Sequence, residues 1–302
     1  MHLSSFSTSR LSGCLKHQGI SLRIGPFVVR VRSSIGKVSS ALSLLYSGYI
    51  VVSDDVFCDF HIRLDSPSGL RSLYKPQVRF YFDEKEPFKP LPIAHAFPLF
   101  EWGLNWCIAK YAHNYLIFHS AVLEKNGKGL ILPGSPGAGK STLCAALMLS
   151  GWRLLSDEMA MVNPATMKVR PIPRPVALKN ESIDIISSFN KDAVIGSKSY
   201  DTSKGTVAHL KVSHESILKA DDEVNVDLVI LPDYKSGTST KLKTIPEYEM
   251  LRELINNSFN YNILRESAFD TTCQIVEQSD CFSLEYSDLH DVIKCLDRLV
   301  SN

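Results

Sequence analysis

The stretch Gly134-Ser135-Pro136-Gly137-Ala138-Gly139-Lys140-Ser141 decides how this chain reads. It matches GxxxxGK[ST] in full, and its flanks pass the context test for a phosphate-binding loop. Gly129-Leu130-Ile131-Leu132 before it reads as a strand, and Ser141 to Ser150 (STLCAALMLS) as a helix. Glycines let such a loop wrap with its N–H groups turned inward, and the start of the next helix adds further donors for a phosphate chain. Lys140 can reach the β- and γ-phosphates, the Ser141 hydroxyl can ligand Mg²⁺, and Thr142 continues the first helical turn. Gly134, Ser135, Pro136, Gly137, Ala138, Gly139, Lys140, Ser141 and Thr142 are therefore the candidate nucleotide-binding residues.

Downstream, the short apolar run Leu154-Leu155 ends in Ser156-Asp157-Glu158, and Asp157 follows Lys140 by only 17 residues. That distance leaves room for one short helix and a turn at Ser150-Gly151. An acidic pair at a strand end beside a phosphate loop suits Mg²⁺ binding and proton acceptance. Ser141, Asp157 and Glu158 are the candidate metal ligands. A solvated strand end is the plain alternative.

Upstream, Tyr115 to Leu123 (YLIFHSAVL) reads as one apolar strand, and Asn126-Gly127 is a tight-turn signal before the next strand. His119 precedes Gly134 by fifteen residues, with Gly127 and Gly129 between them. This spacing, together with Asp157-Glu158, resembles the HPr kinase/phosphorylase family. The chain is similar more closely to the group called HprK-related kinase A. The residues that carry this likeness are Phe100-Glu101-Trp102-Gly103-Leu104-Asn105-Trp106, Gly151 to Glu158 (GWRLLSDE) and Arg174 to Ile183 (RPVALKNESI). The second likeness covers nearly the whole chain; the first covers about residues 115 to 185.

The resemblance implies an α/β fold: a P-loop kinase core of the HPr kinase/phosphoenolpyruvate carboxykinase type, with a smaller N-terminal α+β unit. It implies transfer of the ATP γ-phosphate to a hydroxyl, a serine of a protein or peptide, with ATP and Mg²⁺ as cofactors. Asp157 would take the hydroxyl proton, Lys140 would bind phosphate, and His119 would sit near the phosphates. A strand histidine in a core is the alternative for His119. Two positions depart from the HPr kinases, which carry Glu at Thr142 and Asp at Glu158. The glycine-rich segment tied to their phosphorylase activity is not recognisable either, so the reverse reaction and HPr as substrate are not expected. The related group also suggests a PqqD-like peptide chaperone as partner, and a homo-oligomer stays open. A small-molecule hydroxyl kinase on the same fold and a non-catalytic nucleotide-binding module are the competing readings.

Phosphoryl transfer needs cations beyond Mg²⁺, because charge spreads over the equatorial oxygens. Lys168 to Lys179 (KVRPIPRPVALK) holds four basic residues, three prolines and no acid. Arg174 and Lys179 are the candidate substrate or phosphate contacts, against the alternative of a solvated basic loop. Lys204 to His209 (KGTVAH) offers a second candidate, a mobile substrate loop.

The remaining sequence bounds these readings. The 302 residues carry 44% hydrophobic and 22% charged residues, ordinary for a globular chain, and a net charge of +1 creates no field for nucleic acid or an anionic membrane. No apolar run is long enough for a membrane helix. Seven cysteines without CxxC spacing suggest buried free thiols in a reducing, cytoplasmic setting. Residues 1 to 53 lack Asp and Glu, as transit peptides do, but residues 20 to 32 read as folded strand, so a frayed polar tail is expected before them. Strands are also expected near 56–64, 78–82 and 226–231. Helices are expected over 38–49, 247–257 and 288–300, and a buried helix over 93–113. Pro87, Pro90 and Pro92 mark a boundary between residues 1–90, an N-terminal α+β domain, and 91–302, the kinase-like domain.

Overall fold

The computed structural model describes residues 1–67, 74–134 and 137–301. Ser135 and Pro136, two of the expected nucleotide-binding positions, lie outside the described residues. The architecture is mixed α/β. Its strands, in chain order, are β1 (Ile20–Ile24), β2 (Phe27–Ser33), β3 (Phe60–Asp65), β4 (Gln77–Phe82), β5 (Leu91–Pro92), β6 (Leu116–Phe118), β7 (Ser120–Lys125), β8 (Lys128–Pro133) and β9 (Arg153–Ser156). There follow β10 (Ala160–Val162), β11 (Val169–Arg170), β12 (Val176–Lys179), β13 (Ser199–Thr202), β14 (Gly205–Leu210), β15 (Val226–Tyr234), β16 (Lys241–Thr244) and β17 (Asp280–Tyr286). The chain forms two compact units. One comprises residues 1–108, 177–184 and 192–211, the other 109–176, 185–191 and 212–302.

The first unit is built on a sheet of order β1-β2-β3-β4-β5. Gly25, at φ 55°, turns β1 directly into antiparallel β2, while β2 and β3 run parallel across the helix Gly36–Leu45. Strict alternation places Val78, Phe80 and Phe82 of β4 inside. The helix Ala96–Tyr111 covers this face. It is buried over a wide arc but not all round: Trp102 and Tyr111 stay exposed. Gly103 is required where Phe80 crosses, since a Cβ there would stand 2.1 Å from Phe80 Cε2. The chain before β1 is not the frayed tail its polar composition suggests. It forms the helix Thr8–Lys16, capped by Ser7, with Leu3, Leu11 and Leu15 buried. Leu11 and Leu15, one helical turn apart, together with Leu3 from the turn before the helix, are enough to dock a mostly polar segment.

A three-stranded sheet of order β12-β14-β13 also belongs to this unit. The expected mobile loop at Lys204–His209 is instead largely strand β14, following a tight turn at Gly205 (φ 81°). Val207, Ala208 and His209 are buried, with the His209 ring edge-on to Phe97 at 5.1 Å. The consecutive buried run Val207 to Leu210 outweighs the flexibility of the glycine before it.

The second unit holds a six-stranded sheet of order β16-β17-β15-β8-β7-β9. β15 is parallel to β8 and to β17, and β7 runs antiparallel to both β8 and β9. Hence β8, β9, β15 and β17 all deliver their carboxyl ends to one edge. The β7–β8 turn is Asn126-Gly127, both at positive φ, as its sequence signals. One face packs Val122, Ile131, Val229 and Cys281 beneath the helices Glu247–Asn256 and Glu266–Gln278. The helix Lys140–Leu149 lies against β7 and β9, and the helix Leu289–Val300 packs on it. No helix of the described residues is long and apolar enough to cross a membrane.

The segment 115–123 is not one strand. It breaks at His119, because β6 pairs with β10 in a separate three-stranded sheet whereas β7 pairs with β8 and β9. The chain changes sheets at that residue, a switch that apolar patterning alone does not reveal.

Candidate functional site

At the carboxyl end of β8 the chain enters a loop held open by three left-handed glycines: Gly134 at φ 137°, Gly137 at 93° and Gly139 at 84°. Side chains at these angles would be strained. Gly139 caps the helix Lys140–Leu149, whose first intrahelical bond runs from Leu143 N–H to the Gly139 carbonyl at 2.9 Å. The first turn of a helix leaves N–H groups without intrahelical acceptors, a geometry that suits an anion. Lys140 is buried and donates from Nζ to the Gly134 carbonyl, so its ammonium bridges the two ends of the loop. Ser141 and Thr142 are half-buried on the first turn.

Asp157 stands just past β9, at 4% exposure. Ser156 Oγ accepts the N–H groups of Glu158 (3.4 Å) and Met159 (3.0 Å), which bends the chain sharply after the strand. Ser120 N–H donates to the Glu158 carbonyl at 3.2 Å, tying this bend to the amino end of β7. Ser120 in turn lies opposite Pro133 of β8. One strand thus separates the acidic bend from the loop, about 10 Å at ordinary strand spacing. The thiol of Cys144, one turn along the loop helix from Lys140, is pushed well up by burial and secondarily by the Asp157 carboxylate.

His119 is half-buried at the same edge. Its N–H donates to the Asn257 carbonyl at 2.6 Å, and its ring rests against Phe259 at 5.5 Å. The fold accordingly gathers His119, the glycine loop, Lys140, Ser141, Thr142, Asp157 and Glu158 along one sheet edge, from three places in the sequence.

Arg174 is buried in the same unit. Two residues before it, Ile172 N–H donates to the Leu155 carbonyl at 2.8 Å, so the basic segment runs beside the strand that delivers Asp157. Arg174 is thus no solvated loop residue. Lys179 ends β12 in the first unit, where Ser182 Oγ accepts its backbone N–H at 2.7 Å and donates to its carbonyl at 2.6 Å.

Among the described residues no group of three or more His, Cys, Asp and Glu side chains converges to hold a metal. Mg²⁺ bound through phosphates and water needs only one or two protein carboxylates. Asp157 and Glu158 with the Ser141 hydroxyl fit that smaller requirement, and the left-handed glycines, Lys140 and the open helix start fit a polyphosphate.

Three residues at this edge carry no signal in the sequence. Ser120 is fully buried, and its Oγ meets no hydrogen-bond partner among the described residues. Tyr234 and Tyr286 lie opposite each other at the ends of β15 and β17. A tyrosine after Pro232-Asp233 and another before Ser287 look like ordinary strand ends until the sheet order sets them side by side.

A family model described as SynChlorMet cassette protein ScmC matches residues 105–223, a span that includes the glycine loop, Asp157 and Arg174 but less than half of the chain. A search of curated proteins found no match.

Proposed function

We propose that this chain is an ATP-dependent phosphotransferase that moves the γ-phosphate to a hydroxyl, a serine of a protein or peptide. The second unit would be a P-loop kinase core of the HPr kinase/phosphoenolpyruvate carboxykinase type. The observation that carries the reading is that Asp157 and the loop ending at Lys140 are delivered to the same edge of one sheet, one strand apart. In this reading the loop N–H groups and Lys140 bind the phosphate chain, and Asp157 accepts the proton of the attacking hydroxyl. Ser141, Asp157 and Glu158 hold the magnesium ion, which neutralises phosphate charge. His119 lines the phosphate end, and Arg174, buried beside β9, adds positive charge near the transferred group. The resemblance to HprK-related kinase A supports a peptide substrate and a PqqD-like chaperone as partner, and the cysteine pattern supports a cytoplasmic setting.

The test is incubation of the purified protein with Mg²⁺ and γ-labelled ATP, in parallel with lysate peptides and with free serine. Label in peptide serines is the expected outcome. Label in free serine alone would make the chain a small-molecule kinase. Nucleotide binding without transfer to any acceptor would make it a nucleotide-binding module.

A further inference from the structure

We propose that Tyr234 is the platform on which the base of a purine nucleoside triphosphate stacks, beyond the carboxyl ends of β15 and β17. The proposal rests on the reading of the glycine loop as a triphosphate site and adds where the nucleoside lies. Asp157 stands on the β9 side of the loop, which assigns the terminal phosphate to that side. The nucleoside must then extend the other way along the sheet edge, toward β15 and β17. There Tyr234 meets the loop directly: its Cβ is 3.0 Å from where a Cβ on Gly139 would stand. Its ring lies 5.8 Å from that of Tyr286, inclined at 72°. Tyr286 is buried and donates its hydroxyl hydrogen to the Gly139 carbonyl at 3.3 Å. The two rings therefore have different duties. Tyr286 buttresses the helix cap, while Tyr234 is 48% exposed and keeps ring surface open to solvent.

The charges around Tyr234 point to a base and not to another phosphate. Lys235, the adjoining cation, is held by Asp233 at 2.8 Å and Glu285 at 2.7 Å. That ammonium is paired to two carboxylates, and the exposed Lys241 and Lys243 belong to β16, beyond β17; beside Gly139 the group on offer is the open π-face of Tyr234. Stacking on such a face accepts any base and favours those with more overlap, hence purines.

Binding of Mg-ATP, Mg-CTP and inorganic tripolyphosphate to the intact chain, measured by calorimetry, tests the proposal in the wild type, Tyr234→Ala and Tyr234→Phe. Alanine keeps the Cβ that packs on Gly139, and melting curves verify the fold of each variant. Tyr234→Ala is expected to weaken ATP about tenfold and to leave tripolyphosphate unchanged, with Tyr234→Phe restoring ATP affinity. CTP should bind the wild type more weakly than ATP. Equal loss of ATP and tripolyphosphate would make Tyr234 a mere buttress and overturn the proposal, as would unchanged ATP affinity in Tyr234→Ala. Wild-type affinity for tripolyphosphate equal to that for ATP would leave the loop reading standing and remove the platform. Failure of the wild type to bind either ligand would take down both.

Discussion

Arg153 and Glu124 form an ion pair at 2.7 Å, with both side chains largely out of water. Arg153 also donates to the carbonyls of Lys219 (2.8 Å) and Asp222 (3.1 Å), so one guanidinium joins β9, β7 and the segment leading to β15. Removing one partner of a buried pair strands the other charge. Arg153→Ala is expected to destabilise the fold by about 3–5 kcal/mol, read as a lower urea midpoint. The double variant Arg153→Met/Glu124→Gln should recover part of that loss, because it leaves no unpaired charge.

Asp157→Asn keeps the shape of the acidic bend but removes the carboxylate proposed to accept the proton. Transfer is expected to fall by about 10²- to 10⁴-fold while nucleotide affinity changes far less. Lys140→Ala is expected to abolish both. Single-turnover kinetics alongside calorimetry separates these outcomes, and a non-catalytic binding module would tolerate Asp157→Asn in any functional assay.

Gly103 lies mid-helix, where alanine ordinarily gains about 1 kcal/mol. Here the new Cβ would overlap the buried Phe80 ring. Gly103→Ala is therefore expected to lower stability, by about 1–3 kcal/mol from overpacking, visible as a lower melting temperature.

Burial pushes the Cys107 thiol up to about 12 and that of Cys281 to about 11, from an ordinary 9.0. Both stay protonated in the folded state at pH values where the unfolded chain ionises them. Unfolding then releases protons, so stability is full below about pH 9 and declines as pH rises through 9 to 11 or 12. Each pH unit in that window removes up to about 1.4 kcal/mol per thiol. Melting temperatures recorded from pH 8 to 11 should fall, and Cys107→Ala should flatten the slope. The same burial predicts slow reaction of Cys107 and Cys144 with thiol reagents until the chain unfolds.

Much of the site was legible before any coordinates. GxxxxGK[ST] between a strand and a helix needs left-handed glycines and an uncapped helix start, and both are present. Asn126-Gly127 specifies its own turn, since few other pairs accept positive φ twice. The stripes at Glu247–Asn256 and Leu289–Val300 do form helices: the first buries Met250 and Leu254, and the second buries Ile293 and Leu296 with Val292 and Val300, while Leu289 and Leu299 are only half-buried. Elsewhere local patterns misled. The residues before Ile20 read as a polar tail because two leucines are a weak signal in a nine-residue helix, and Lys204–His209 reads as a loop because its glycine masks the strand behind it.

What the sequence determined by itself is everything set within a few residues: the glycine loop, the turns, the helical stripes, and the carboxylate pair closing a short strand. What the tertiary structure alone decided is adjacency. The break at His119, the seat of Arg174 beside β9 and the pairing of Tyr234 with Tyr286 depend on strand order. Strand order follows from hydrogen bonds between segments far apart in the chain, and no local pattern records which neighbours those will be.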